Sequence, residues 1–300
     1  MGSIDSSSLT TWKKLVLLIA ALLVIVPALV WFVNSPSIST LGDLIRRQPL
    51  QCPKPLILVK PAEKNVTTPA KQQQQKLYYE DPCHYYKFLF VLGTGRSGTT
   101  TIKAFLNSLP HFRIAGENKD VLGRLLTIFN SLKEIKGWSD GAGAWENRYD
   151  LQKMFDNSRK YILDTIAPGP EDKVIGFKEI RENSLDKVRF LKQLFPCSKI
   201  ILSYRNNTEE QSHSAFYKNH QAATTELEDA NNFMFKLHNA NPSWMYLLAL
   251  EDFSIEKFDD LLQWVGEKGC HANYIPQMNA NSTYQNDRNW RNATRCDGEH

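Results

Sequence analysis

"YKFLFVLGTGRSGTTTIKAFLNSLP", residues 86–110, reads as a strand, a glycine-rich turn and a helix. The apolar run in "KFLFVLG" carries the strand. Ile102, Phe105, Leu106 and Leu109 follow at the i, i+3, i+4, i+7 spacing of a helix with one buried face, and Pro110 ends it. Between the two, Gly93 and Gly98 stand with four residues separating them. That is the spacing of a loop whose backbone N–H groups converge on an anion, with the positive end of the next helix behind them. A nucleoside triphosphatase places Lys and then Ser or Thr after the second glycine, for phosphates and magnesium. Here Thr99 and Thr100 hold those places, and the cation has moved into the loop as Arg96. Thr94, Ser97, Thr99 and Thr100 add hydroxyl donors beside the amides of Gly95 and Gly98. The loop suits an anion bound by donors and one fixed guanidinium, with no metal required.

Outward from this loop, strand-like runs recur as "KVIGFKE", "SKIILSYR" and "WMYLLAL". Amphipathic helices lie between them: Leu185, Val188, Leu191, Leu194 and Phe195 mark one face, and Phe258, Leu261, Leu262 and Val265 another. Continuous apolar strands alternating with such helices predict an α/β fold, a P-loop-like central parallel sheet with helices on both faces. The domain is expected over residues 83–275, with an Asn-rich tail over 276–300. No internal repeat is apparent.

The net charge of +4 on 300 residues gives no footing for a nucleic-acid partner. Lys13 and Lys14 close a tail of residues 1–14 and precede an uncharged apolar run over 15–33, flanked by Trp12 and Trp31. At about 1.5 Å per residue the run spans roughly 28 Å, enough for a bilayer core. A cleaved signal peptide would have a shorter apolar region and a small-residue cleavage site. Positive charge on the N-terminal side alone predicts a single transmembrane signal anchor with the bulk of the chain lumenal. "MGSIDS" also matches the myristoylation pattern, which adds little to an anchored chain. Residues 34–82, rich in Pro, Thr, Gln and Lys apart from the short "PLILVK", read as a flexible stem.

Lumenal placement makes Asn65, Asn281 and Asn292 candidate glycan acceptors. It also allows oxidation of the five cysteines, with Cys270–Cys296 and Cys52–Cys83 the first pairs to test. Cys197 opens an apolar run and is expected as a buried thiol. None of the cysteines has metal-ligand spacing.

"GTGRSGTT" resembles the phosphosulfate-binding loop of sulfotransferases, where a basic residue precedes Ser-Gly-Thr/Ser-Thr/Ser. "KIILSYRNNTEEQSHSAFY" resembles that family's second motif, a strand ending in Arg before a helix that carries Ser. "LALEDFSIEKFDDLLQWVGE" resembles its closing acidic-aromatic turn and helix. The resemblance spans residues 86–268 and implies 3′-phosphoadenosine 5′-phosphosulfate (PAPS) as donor, without a metal. It places Arg96 and the loop residues on the 5′-phosphosulfate, and Arg205 and Ser214 on the 3′-phosphate. Ser214 is chosen over Ser212 because "SAFY" matches the small-then-aromatic continuation; the family's usual serine position is His213 here. Thr101 stands where many relatives have an aromatic residue. Asn206 is a sequon beside Arg205, and a glycan there would obstruct a ligand-facing arginine.

A hydroxyl acceptor benefits from a general base. "FRIAGENKD" reads as a second strand and a loop at the sheet's C-terminal edge, which puts Glu117 beside the anion loop. In several sulfotransferase branches an acidic residue at this station is the base. Lys178, Glu179 and Arg181 in "GFKEIR" stand at another strand end: Lys178 to contact the sulfuryl group, Arg181 to grip an acidic acceptor, Glu179 as a second candidate base. His111, His213 and His220 lie off the family's histidine motif. The expectation is a Golgi-membrane, type II sulfotransferase acting on a glycan or glycoprotein hydroxyl (or amine). Protein tyrosine is the alternative acceptor. A lumenal P-loop kinase and a catalytically silent nucleotide-binding protein are the rival classes.

Overall fold

In the computed structural model, residues 81–136, 149–181, 184–278 and 289–297 are described. The expected anchor, the expected stem up to residue 80, and Asn65, Asn281 and Cys52 lie outside them. Among the described residues no helix is long and apolar enough to cross a membrane.

Five parallel strands form the central sheet: β1 (Lys87–Gly93), β2 (Phe112–Ala115), β3 (Val174–Glu179), β4 (Lys199–Tyr204) and β5 (Met245–Ala249). Their order is β2-β3-β1-β4-β5, with β1 central between β3 and β4. The chain leaves β1 toward one half of the sheet and later returns to the other. The loop after β1 therefore lies at the switch point, where a crevice opens.

β1 shows why both faces must be covered. Phe88, Phe90 and Leu92 point to one side, Leu89 and Val91 to the other, and all are buried. On the first side Phe90 meets Phe177 and Phe195 at centroid distances of 4.7 and 5.6 Å. That face is covered by α3 (Val121–Lys136), α4 (Leu151–Ile166), α5 (Leu185–Leu194) and α7 (Ala223–Ala240). The other face is covered by α2 (Thr99–Leu106) and α8 (Ile255–Val265), whose Phe105 and Phe258 meet edge to face at 4.5 Å. Two short helices complete the set, α1 (Pro82–Tyr85) before β1 and α6 (Thr208–Ser212) after β4. Three helices begin where a side chain satisfies open N–H groups: Asp150 caps α4, Ser184 caps α5 and Ser254 caps α8. Helices α3, α4 and α7 are additions to the helices marked by apolar spacing.

The cysteines differ in part from expectation. Cys270 pairs with Cys296, but Cys83 pairs with Cys197, and Cys197 is exposed. Adjacency of β1 and β4 is the reason. Cys83 enters β1 and Cys197 enters β4 at the same edge of the sheet, so 114 residues of separation become neighbouring positions. The Cys52–Cys83 pairing and the buried thiol at Cys197 are both replaced by this bond. The stretch read as a tail also returns to the domain. β6 (Cys270–Ala272) pairs antiparallel with β7 (Thr294–Cys296), and Ala293 is fully buried in the second core face. Asn292 just before it is exposed.

Candidate active site

At the C-terminal ends of β1, β3 and β4 lies a cleft of about 440 Å³. Arg96, Thr99, Thr100, Glu117, Lys178 and Arg205 all line it, brought from three strand ends and one loop; Gly95 and Gly98 form part of its floor. Thr94, Ser97 and Ser214 do not reach its lining.

The anion loop is wired from within. Ser97 Oγ donates to Thr94 O at 2.8 Å, and Ser203 Oγ on β4 donates to Ser97 O at 2.6 Å. Ser97 is fully buried, so its hydroxyl serves the loop rather than the cleft. Gly98 caps α2 with φ +91°, and an added Cβ would come within 2.6 Å of the Phe253 ring. Only glycine meets both conditions. Arg96 adopts φ 65° although it carries a side chain. That left-handed backbone costs about 1–2 kcal/mol in isolation and must be held by its surroundings.

Around Glu117 the acidic and basic groups interlock. Lys178 Nζ donates to Glu117 Oε1, and Arg181 Nη1 donates to Glu117 Oε2 at 3.2 Å and to Glu179 Oε1 at 2.8 Å. Burial pushes the Glu117 carboxyl up, but the hydrogen bonds and charges of Lys178 and Arg181 outweigh it and hold the group below the usual carboxylate range. Glu117 is thus ionised and weakly basic while clamped. Burial, with Lys178 and Arg113 nearby, pushes the Lys103 ammonium down.

Glu179 has a different task from the one expected of a second base. It is fully buried and accepts from the backbone N–H groups of Asn118, Asp120 and Ile180 at 3.1, 3.2 and 2.8 Å. Lys119 and Asp120 stand at φ 56° and 63°, so this carboxylate stabilises the strained turn that presents Glu117. The histidines are elsewhere. His111 faces Glu267 at 3.3 Å at the opposite end of the sheet, and His220 faces Glu226 at 3.6 Å.

Arg181→Ala removes one of the two cations holding Glu117. The carboxyl then titrates higher, so the acidic limb of kcat/KM against pH should move to higher pH. A limb that stays in place would show that Glu117 ionisation does not govern the rate.

At the other end of the cleft, Arg205 is mostly buried between Glu210 at 2.6 Å and Glu251 at 3.7 Å. Glu251, from the acidic-aromatic motif, also accepts from the N–H groups of Asn206 and Asn207 at 3.0 and 3.1 Å, and so fixes the turn after β4. Of the two neighbouring serines, Ser212 Oγ is used by Glu209 O and Thr224 Oγ1. Ser214 Oγ is buried and has no hydrogen-bond partner among the described residues. Of the two, Ser214 alone keeps an unmatched hydroxyl, and it stands off the cleft lining. Gln211 and Glu251 are functional candidates absent from the expected set, although both lie inside quoted motifs.

Among the described residues no group of three or more His, Cys, Asp or Glu could hold a metal ion. The chain is similar to "Protein-tyrosine sulfotransferase A" of Caenorhabditis elegans, 25% identical over 194 residues that cover 64% of this chain and 45% of that protein. The chain thus spans less than half the length of that relative. Among solved structures, it is similar to the sulfotransferase domain of the Synechococcus PCC 7002 olefin synthase, with TM-score 0.37 and 14% identity over 60% of this chain and 73% of that one. It is also similar to the sulfotransferase from Alicyclobacillus acidocaldarius, with TM-score 0.39 and 10% identity over 68% and 87%. The family model described as "Sulfotransferase family" matches residues 89–261, which run from the first strand through the anion loop, Glu117, Lys178 and Arg205 into α8. With more than half of its length matched, the chain belongs to the sulfotransferase family.

Proposed function

We propose that the chain transfers a sulfuryl group from PAPS to a hydroxyl (or amine) of a glycan. The convergence of Arg96, Glu117, Lys178 and Arg205 on one cleft carries this reading. Arg205 and Ser214 would hold the 3′-phosphate, and the amides of the Gly95–Thr100 loop the 5′-phosphate. The acceptor oxygen attacks sulfur and its proton goes to Glu117. The bond from sulfur to the phosphate oxygen breaks, and its electron pair stays on 3′-phosphoadenosine 5′-phosphate (PAP), where Arg96 offsets the growing charge. Lys178 has two partners to choose from. Turning from Glu117 to a sulfuryl oxygen, it neutralises the group being transferred and restores basicity to Glu117 at the same moment.

The apolar run over 15–33 and the two disulfides support placement in the Golgi lumen on a type II anchor. The alternative acceptor, protein tyrosine, is favoured by the similarity to a protein-tyrosine sulfotransferase. The test is transfer from ³⁵S-labelled PAPS by the purified full chain, with a glycan panel and tyrosine peptides in parallel. Label on glycans supports the first acceptor and label on peptides the second; label on neither, with no PAP binding, sinks the enzyme reading. Arg205→Ala should weaken PAP binding by about 1.5–3 kcal/mol, the contribution of a charge-assisted contact. Unchanged PAP affinity in that variant would remove Arg205 from the donor site.

A further inference from the structure

Gln211 is a fully buried polar side chain on α6, six residues beyond Arg205. Its Nε2 donates to Gly95 O at 2.5 Å and to Thr94 Oγ1 at 2.9 Å. Its Oε1 is buried and has no hydrogen-bond partner among the described residues. A side chain held only through its donors, with its acceptor left unmatched, is there for what those donors grip. The same segment also closes in on Gly95 from the side of its Cα. Phe216 and Tyr217 lie so close that a Cβ on Gly95 would meet them at 2.6 and 2.9 Å. The carbonyl of Gly95 is thus fixed, and its Cα enclosed, by the stretch between Arg205 and α7.

No peptide in the described chain is cis, so in the Gly95–Arg96 unit the C=O and the N–H point in opposite directions. Holding the carbonyl on Gln211 turns the Arg96 N–H away from α6, and Gly95 and Arg96 both line the cleft. Rotating this peptide by half a turn would present a carbonyl oxygen to an anion and relax Arg96 from its left-handed backbone. Gln211 opposes that rotation.

We propose that Gln211 is a positioning residue for donor binding: from α6 it locks the Gly95–Arg96 peptide, and so couples the anion loop to the segment bearing Arg205 and Ser214. This rests on the reading of the cleft as a PAPS site.

The test compares the full chain with Gln211→Met and Gln211→Glu, using PAP as the probe in calorimetry and thermal melting as the check on folding. Methionine keeps the volume and loses both donors, so PAP affinity should fall about tenfold or more, with kcat at saturating donor less affected. Glutamate opposes a carboxylate to a carbonyl at neutral pH, and burial raises its pKa. Once protonated it can donate to Gly95 O again. The affinity of Gln211→Glu relative to wild type should therefore recover as pH falls from about 8 to 5.5. Arg205, Glu210 and Tyr217 flank this segment and are common to both proteins, so the ratio isolates the titration of the introduced carboxyl, their coupling to it included. If Gln211→Met does not fold, the pH dependence of the Gln211→Glu ratio decides alone. A flat ratio, or a methionine variant with wild-type affinity, overturns the proposal. A wild-type chain that binds no PAP overturns the donor reading instead, and the proposal with it.

Discussion

Glu117→Gln should lower sulfuryl transfer by about 10²–10⁴-fold, the usual contribution of a positioned general base. Gln keeps the size of the side chain and one acceptor oxygen for Lys178 or Arg181, but it cannot take the acceptor's proton. PAP affinity should stay near wild type, because the groups assigned to the donor are other residues. Initial rates and calorimetry on one preparation give both numbers, and a melting curve shows whether loss of the carboxylate beside buried Lys178 has weakened the fold. Full transfer activity would leave the reaction without a side-chain base. Glu179 is sealed behind its own hydrogen bonds, and among the described residues no histidine lines the cleft.

Arg96→Ala should lower kcat by about 10²–10³-fold, the scale for removing one preorganised electrostatic stabiliser. PAP binding should fall less, since loop amides and Arg205 remain. The variant keeps the awkward backbone of position 96, where alanine is no more comfortable than arginine at φ 65°. Stability should therefore change little, and the kinetic loss can be read as chemistry. Arg96→Gly sharpens the comparison, because glycine relaxes the backbone while still lacking the guanidinium. Wild-type turnover in Arg96→Ala would place the guanidinium away from the reacting atoms.

How much of this was legible before the structure depends on where each signal is stored. β1, the loop and α2 carry theirs locally: an apolar strand, two glycines at fixed spacing, and a helical stripe ended by Pro110. Helix α7 does not. Its buried face includes Ala223, Ala230 and Asn231 with Leu227, Met234 and Leu237, so small and polar residues dilute the stripe. Helix α4 hides in a similar way, with Ser158 among its buried positions. The Cys83–Cys197 bond required the strand order, which no spacing between cysteines records. Glu117, Lys178 and Arg205 were readable because residues just past parallel strands gather at one edge. Gln211 was not, because glutamine on a short helix is usually solvated and its burial is a tertiary fact.

The bond between Cys83 and Cys197 also makes the molecule partly cyclic. The closed part runs from α1 to the threshold of β4 and contains Arg96, Glu117 and Lys178, whereas Arg205 and Ser214 are on the linear part beyond it. One cut of the backbone anywhere inside the ring opens the circle without separating a piece. A protease that nicks there leaves a product of unchanged mass apart from one added water, and two fragments separate on a gel only after reduction. No single cleavage between Cys83 and Cys197 can therefore detach the residues assigned to sulfuryl transfer from those assigned to the 3′-phosphate.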